Sequence, residues 1–132
     1  ALSVGGATEI FLPWKGFNQS NSQYHNIPQK AFEYAEEIYP TEWNWNTLKG
    51  PTKKFMARNI QQVLGEFIND PVDFVICWTP DGCEHASSRT RATGGTGQAI
   101  ACASLLDIPV YNAANFNDLY LFSQTILDNH AN

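Results

Sequence analysis

The sequence predicts an α/β fold, a single domain over residues 1–132 in which helices pack on a small parallel sheet. Three observations indicate this fold. A chain of 132 residues is the size of one domain, and 43% of its residues are hydrophobic, enough to form a core. Short apolar runs alternate with amphipathic runs of helical spacing. Strands separated by helices pair in parallel through right-handed crossovers, so the order of elements favours this class.

The first half of the chain predicts one strand and two helices. Residues 9–14 form a short strand that proline ends, and the polar stretch 16–28 is a loop. Pro28 suits the first turn of a helix that runs to about residue 39, and Pro40 stops it. Pro51 begins a second helix, which the apolar spacing extends to about residue 68.

The second half predicts two further strands and two helices. Residues 72–78 are nearly all apolar, as expected of a strand that is covered on both faces. A polar loop over 79–93 leads to a helix at 96–106, and a short strand follows at 108–112. Asn115 or Asn117 caps the last helix, which runs to about residue 128.

A glycine-rich segment, Thr93-Gly94-Gly95-Thr96-Gly97-Gln98, opens the third predicted helix. Glycines let the backbone take positive φ and approach a ligand closely. The helix that begins here points unpaired N–H groups and the positive end of its dipole towards the loop. This pattern favours a phosphate-binding site, and the alternative is a glycine turn without a ligand.

Ligands of open parallel sheets bind outside the carboxyl ends of the strands, so we expect several polar segments to meet at that edge. There Trp14 would stack on a base, Lys15 and the arginines would contact phosphates, and Asp81 would bind ribose hydroxyls. Each of these side chains also has a purely structural alternative, such as a surface ion pair or a turn. The candidate nucleotide-binding residues are Trp14, Lys15, Arg58, Asn59, Thr79, Asp81, Arg89, Arg91, Gly94, Gly95, Thr96, Gly97, Gln98 and Asn112.

Charge and composition argue against several other functions. The net charge of −5 and the pI near 5.0 argue against nonspecific nucleic-acid binding. The sequence has no apolar run long enough for a membrane span and no signal-peptide pattern, so we expect a cytoplasmic protein. Cys77 and Cys102 are expected to be reduced core thiols and Cys83 to be exposed. The Cys83-Glu84-His85 cluster lacks the paired spacing of a metal site, so no metal is expected.

Four blocks of the sequence resemble one known superfamily, and together they extend over nearly the whole chain. The resemblance is to uncharacterised phage and bacterial proteins related to DNA-processing protein A and to the Lonely Guy proteins. It implies a Rossmann-like three-layer αβα domain that binds a nucleotide, in the host cytoplasm if phage-encoded. The blocks are Ile10-Phe11-Leu12-Pro13-Trp14-Lys15-Gly16-Phe17-Asn18, Met56-Ala57-Arg58-Asn59-Ile60-Gln61-Gln62-Val63-Leu64-Gly65, Phe74-Val75-Ile76-Cys77-Trp78-Thr79-Pro80-Asp81-Gly82 and Thr93-Gly94-Gly95-Thr96-Gly97-Gln98-Ala99-Ile100.

The chain departs from that family at its beginning. Family members usually start earlier, with a strand, a glycine loop and a helix. Residues 1–8 match only the end of that helix, or Ser3-Val4-Gly5-Gly6-Ala7 is a remnant of the loop. An incomplete sheet leaves an edge and an apolar face uncovered. We therefore predict a homo-oligomer, or a companion chain that covers the N-terminal side.

A second departure concerns catalysis. Gln98 lies where the Lonely Guy phosphoribohydrolases have an acidic residue, and an amide cannot exchange a proton or stabilise a developing cation as a carboxylate does. The favoured function is therefore noncatalytic or regulatory binding of a nucleotide-derived phosphate, with no catalytic residue assigned. The alternatives are an N-glycosidase that uses Asp81 or Glu84, a DNA-processing protein, and a structural or interaction protein that retains the fold.

Overall fold

The computed structural model describes residues 11–130 and divides the chain at Pro71 into two compact units. The first unit contains two α-helices, α1 (Gln29–Ile38) and α2 (Gly50–Leu64). The second contains two strands, β1 (Val75–Cys77) and β2 (Val110–Asn112), and two helices, α3 (Gly97–Leu105) and α4 (Leu119–His130). The chain is therefore mixed α/β with a small parallel sheet, as the sequence predicts.

In the first unit, α1 and α2 pack through small and branched apolar side chains. Ala31 and Ala35 of α1 are fully buried, as are Ala57 and Ile60 of α2. Alanine brings two helix backbones close together, which is how a short helix such as α1 can be held against α2. Three short 3-10 turns complete this unit, at Phe17–Gln19, Thr41–Trp43 and Trp45–Thr47.

The helix bounds of the first unit follow local signals. Pro28 lies immediately before α1 in an extended conformation, and Pro51 lies in the first turn of α2. The second helix ends at Leu64, earlier than predicted, because Gly65 follows it with φ +83° and its N–H bonds the carbonyl of Gln61. The apolar spacing continues past Gly65, but the helical conformation of the backbone ends there.

The strand predicted over residues 9–14 is reduced to one pairing among the described residues. Phe11 forms an isolated parallel bridge with Tyr24, and Leu12 N–H donates to the Tyr24 carbonyl at 2.7 Å. Glu9 and Ile10 lie outside the described residues, as does the Ser3-Val4-Gly5-Gly6-Ala7 segment.

In the second unit the two strands pair in parallel, with Val75 opposite Val110 and Cys77 opposite Asn112. Helix α3 lies in the segment that connects them, and its residues from Gly97 to Ala103 are all buried. A helix that is apolar on all sides belongs in a core, which agrees with the composition of this segment. Cys83 is only 3% exposed, so the expectation that its thiol is exposed is wrong. Its thiol turns inward and contacts the His85 carbonyl at 3.2 Å.

Candidate functional site

The glycine segment of the second unit forms a bend at the start of α3. A 3-10 turn over Arg91–Thr96 leads directly into the helix. Thr90 and Thr93 cap this turn reciprocally: Thr90 Oγ1 accepts from Ala92 N–H at 3.1 Å, and Thr93 Oγ1 accepts from Thr90 N–H at 2.9 Å. This arrangement is a capping box, so the start of the turn is fixed by side chains of the turn itself.

Asp81 fastens this turn to the loop that follows β1. Its Oδ2 accepts from the hydroxyls of Thr90 and Thr93, and its Oδ1 accepts from the Thr79 hydroxyl at 2.8 Å and Cys83 N–H at 3.3 Å. Hydrogen bonds to the ionised form, led by that from Thr93, lower the pKa of Asp81 to about 2. Asp81 is therefore a carboxylate at neutral pH and cannot donate a proton there.

Asn112 links the carboxyl ends of the two strands. Its side chain is fully buried, and Nδ2 donates to Thr79 Oγ1 at 2.7 Å and to the Cys83 carbonyl at 2.9 Å. Its Oδ1 accepts from the N–H groups of Thr79 and Ala114. The Glu84 carboxylate then accepts from Asn112 N–H at 2.8 Å. The candidates Thr79, Asp81 and Asn112 are thus brought together at the strand ends, where their polar atoms bond one another and the loop.

The bend itself is open. Gly94 has φ +72° and ψ −160°, a conformation that side chains rarely adopt. No described atom lies within 4 Å of the position that a Cβ would take at Gly94 or at Gly95. Gly94, Gly95 and Thr96 are exposed, and no side chain caps the first turn of α3. Gly97 itself is buried, and its N–H bonds the carbonyls of Gly94 and Gly95. The backbone that can be approached from outside is therefore that of Gly94, Gly95 and Thr96.

An arginine lies against the first turn of α3. A Cβ on Gly97 would come within 2.6 Å of Arg89 Nε, so only glycine leaves room for this side chain. Arg89 Nη1 donates to Gln98 Oε1 at 2.7 Å, and Gln98 is fully buried. The glutamine predicted to bind ligand therefore holds Arg89 beside the bend. Arg91 is exposed in the turn that precedes it.

Four of the predicted residues belong to the first unit. Trp14 is 37% exposed and makes edge-to-face contacts with Phe17 and Phe55, and Lys15 beside it is exposed. Arg58 Nε donates to Asn59 Oδ1 at 3.1 Å within α2, and Asn59 is buried. Trp14 and Arg58 both lie against the Phe55 ring.

Two residues that hold the bend, Thr90 and Thr93, are absent from the sequence-based set. A threonine three residues after a threonine is a weak capping signal, because the usual pattern has glutamate or glutamine at the second position. The sequence offers Glu84 as an alternative catalytic carboxylate, yet its carboxylate accepts a hydrogen bond from the backbone N–H of Asn112 in β2. Its polar loop position gives no indication of that partner.

Within residues 11–130, no three His, Cys, Asp or Glu side chains come close enough together to hold a metal ion. In the same part of the chain, no helix combines the length and the apolar character that crossing a bilayer requires. Comparisons with protein-family models, with curated proteins and with solved structures found no match to this chain.

Proposed function

We propose that the bend at Gly94–Gly97 binds the phosphate of a nucleotide or nucleotide-derived ligand, and that the protein binds this ligand without cleaving it. The backbone N–H groups before α3 would donate to the phosphate oxygens, and the helix dipole would add a favourable field. No metal is needed for this mode of binding, because N–H donors and arginine supply the positive potential.

The observation that carries the proposal is the open space at Gly94 and Gly95. Both glycines lie immediately before an α-helix whose first turn lacks a side-chain cap, and no described atom occupies the place of either Cβ. No neighbouring protein atom requires a glycine at these two positions. The absence of a side chain at Gly94 and Gly95 leaves space for a ligand that approaches the backbone from solvent.

Arginine supports an anionic ligand at this place. Arg89 lies against Gly97, and its guanidinium is held there by a hydrogen bond to Gln98. Gln98 is neutral, so this bond orients the guanidinium without reducing its charge. A glutamate in its place would form an ion pair with Arg89 and lower the local potential.

Binding is favoured over bond cleavage by the state of the nearby carboxylates. Asp81 accepts three threonine hydroxyls, and Glu84 accepts the N–H of Asn112. The hydrogen bonds of both carboxylates thus hold the structure of the loop together. A general acid would need a raised pKa, whereas the pKa of Asp81 is lowered.

We also propose the finer assignments that the sequence suggests. These are membership of the superfamily of DNA-processing protein A and Lonely Guy, a Rossmann-like three-layer arrangement, a cytoplasmic setting, and an oligomer or companion chain on the N-terminal side. The parallel pairing of β1 with β2 and the helix between them agree with one βαβ unit of such a fold.

The experiment is a titration of the full chain with adenosine monophosphate and with pyrophosphate by isothermal calorimetry. We expect both to bind, and we expect Gly95→Val to weaken the binding of pyrophosphate, which has no aromatic ring, at least about tenfold, roughly 1.4 kcal/mol. A Cβ at Gly95 would have no protein atom within 4 Å apart from its chain neighbours, so a loss of binding with an unchanged melting temperature reflects obstruction of the ligand and not damage to the fold.

Ala92→Val is the matched control, because it adds bulk to an exposed residue of the same turn. It should leave both affinities and the melting temperature unchanged. The absence of binding by the unmodified chain, or an equal affinity in Gly95→Val, would overturn the proposal.

A further inference from the structure

The first unit contains an aromatic cluster made of Trp14, Phe17 and Phe55. All three pairs of rings meet edge to face, with centroids 5.3 Å apart for Trp14 and Phe17, and 5.4 Å apart for the other two pairs. Trp14 remains 37% exposed, so part of its indole faces solvent. The aromatic cluster therefore has a packed side and an open side.

An unusual turn holds this arrangement. Gly16, Asn18 and Gln19 all have positive φ, of 81°, 52° and 62° respectively. Residues other than glycine adopt this region at a cost, and two in succession need compensation from their surroundings. Gln19 N–H bonds the Gly16 carbonyl at 2.9 Å, and the turn brings Phe17 into contact with both Trp14 and Phe55.

Arg58 of α2 adds a cation to the aromatic cluster. Its guanidinium carbon lies 5.6 Å from the centroid of the Phe55 ring, and its Nε is held by Asn59 at 3.1 Å. Burial lowers the pKa of Arg58, and desolvation is its only cause. Among the described residues, no carboxylate lies within 4.0 Å of this guanidinium. The charge is therefore partly desolvated, and no anion of residues 11–130 balances it.

We propose that the aromatic cluster and Arg58 form a binding site for a small aromatic phosphate, with the ring against Trp14 and the phosphate on Arg58. A partly buried guanidinium without a counter-ion is costly, and an incoming phosphate would offset that cost through paired hydrogen bonds. Asn59 takes Nε, which leaves the two terminal nitrogens for the ligand. The exposed Lys15 follows Trp14 directly and adds a second positive charge.

This site shares no residue with the glycine bend. All of its residues belong to the first unit, and none of them takes part in the hydrogen bonds of the bend. It therefore stands whether or not the bend binds phosphate, and the two proposals fail independently.

The test follows the indole N–H signals in a ¹H–¹⁵N spectrum of the full chain. There are four tryptophans and hence four such signals, and Trp14→Phe assigns the relevant one. We expect adenosine monophosphate and phenyl phosphate to shift the Trp14 signal and the Arg58 Nε–H signal. Adenosine or inorganic phosphate alone should bind at least about tenfold more weakly, because each provides only half of the contacts.

Both phosphates are also titrated against Gly95→Val, which blocks the bend. An unchanged Trp14 response there shows that the two sites are independent. If phenyl phosphate binds as well as the nucleotide, the site recognises any aromatic phosphate. If only the nucleotide binds, the site also contacts the ribose or the second ring of the base. Either result supports the proposal.

Arg58→Gln should weaken the Trp14 response at least about tenfold. Lys54→Gln is the matched control, because it removes the same charge from an exposed position of α2. If Arg58→Gln does not fold, Arg58→Lys replaces it and should weaken the response while keeping the charge. Equal weakening by Lys54→Gln, no shift at Trp14, or equal binding of inorganic phosphate would overturn the proposal.

Discussion

Asn112 and Thr79 are joined by two hydrogen bonds that tie the carboxyl ends of β1 and β2 together. The asparagine Nδ2 donates to the threonine hydroxyl at 2.7 Å, and its Oδ1 accepts from the threonine N–H at 3.2 Å. Asn112 is fully buried and Thr79 is 1% exposed, so water cannot replace either bond. The same amide also bonds the Cys83 carbonyl and Ala114 N–H, so the side chain makes four hydrogen bonds at the strand ends.

We expect Asn112→Ala to lower the free energy of unfolding by about 3 kcal/mol, because it leaves several buried polar groups unpaired. Urea denaturation followed by circular dichroism measures the change. Asn117→Ala, at an exposed position with no described bond, should stay within about 0.5 kcal/mol of the unmodified chain. Similar midpoints for the two variants would contradict the role assigned to Asn112.

Asp81 makes stability depend on pH in the acid range. Its pKa is lowered from 3.8 to about 2, first by the Thr93 hydroxyl, so the folded state favours the carboxylate. The stabilisation is fully present above the ordinary pKa, and it is lost as pH falls from about 4 through about 2. Urea midpoints at pH 7, 4 and 2 should show Asp81→Asn less stable than the unmodified chain at pH 7.

The difference between Asp81→Asn and the unmodified chain should shrink as pH falls, since protonated Asp81 no longer accepts all of these bonds. A difference that persists unchanged at pH 2 would mean that charge is not what Asp81 contributes. Asp73→Asn serves as the control, because Asp73 is exposed and has no described hydrogen bond.

Gly97→Ala should destabilise the protein by about 1–2 kcal/mol, although alanine is the better helix former. The new Cβ would lie 2.6 Å from Arg89 Nε and would displace the guanidinium from Gln98, which is fully buried. The loss of this bond outweighs the gain in helix propensity.

The sign of the Gly97→Ala effect should reverse once Arg89 is removed. In an Arg89→Ala background no side chain occupies that space, so Gly97→Ala should become neutral or stabilising. Thermal unfolding of the unmodified chain, the two single variants and the double variant gives the coupling free energy between positions 89 and 97. Additive effects would show that Arg89 does not determine the need for glycine at position 97.

The three cysteine thiols should react slowly at neutral pH. Cys83 and Cys102 are buried, and desolvation, together with the charge of Glu84, raises the pKa of Cys77 to about 11. The thiolate is the reactive form, so very little is present at pH 7. Iodoacetamide labelling followed by mass spectrometry should show little modification until the chain is unfolded in urea. Rapid labelling of Cys77 at pH 7 in the folded chain would contradict this expectation.

The sequence predicts helix positions well where proline or composition marks them. Both helices of the first unit begin next to a proline, and the buried character of α3 follows from its apolar composition. The sequence predicts strands that are longer than those of the structure, because β1 and β2 have three residues each. The apolar run at 72–78 continues beyond the residues that pair, and composition alone does not show where the hydrogen bonds stop.

The candidate site illustrates a different limit. The sequence places Thr79, Asp81, Asn112 and the glycine segment at one edge of the sheet, and the structure brings them together there. It does not show which of them face a ligand and which bond each other. Asp81 and Asn112 are polar residues after strands, and that pattern is the same for a ligand contact and for a structural bond.

The parallel pairing of β1 with β2 also has a topological consequence. The chain leaves one strand at Cys77 and returns to its neighbour at Val110, so the entire glycine bend and α3 lie within a loop whose ends are held together. A single protease cut at the exposed Gly94–Thr96 stretch would therefore yield two fragments that stay associated. The cut product would migrate as one species under native conditions and separate only under denaturing ones.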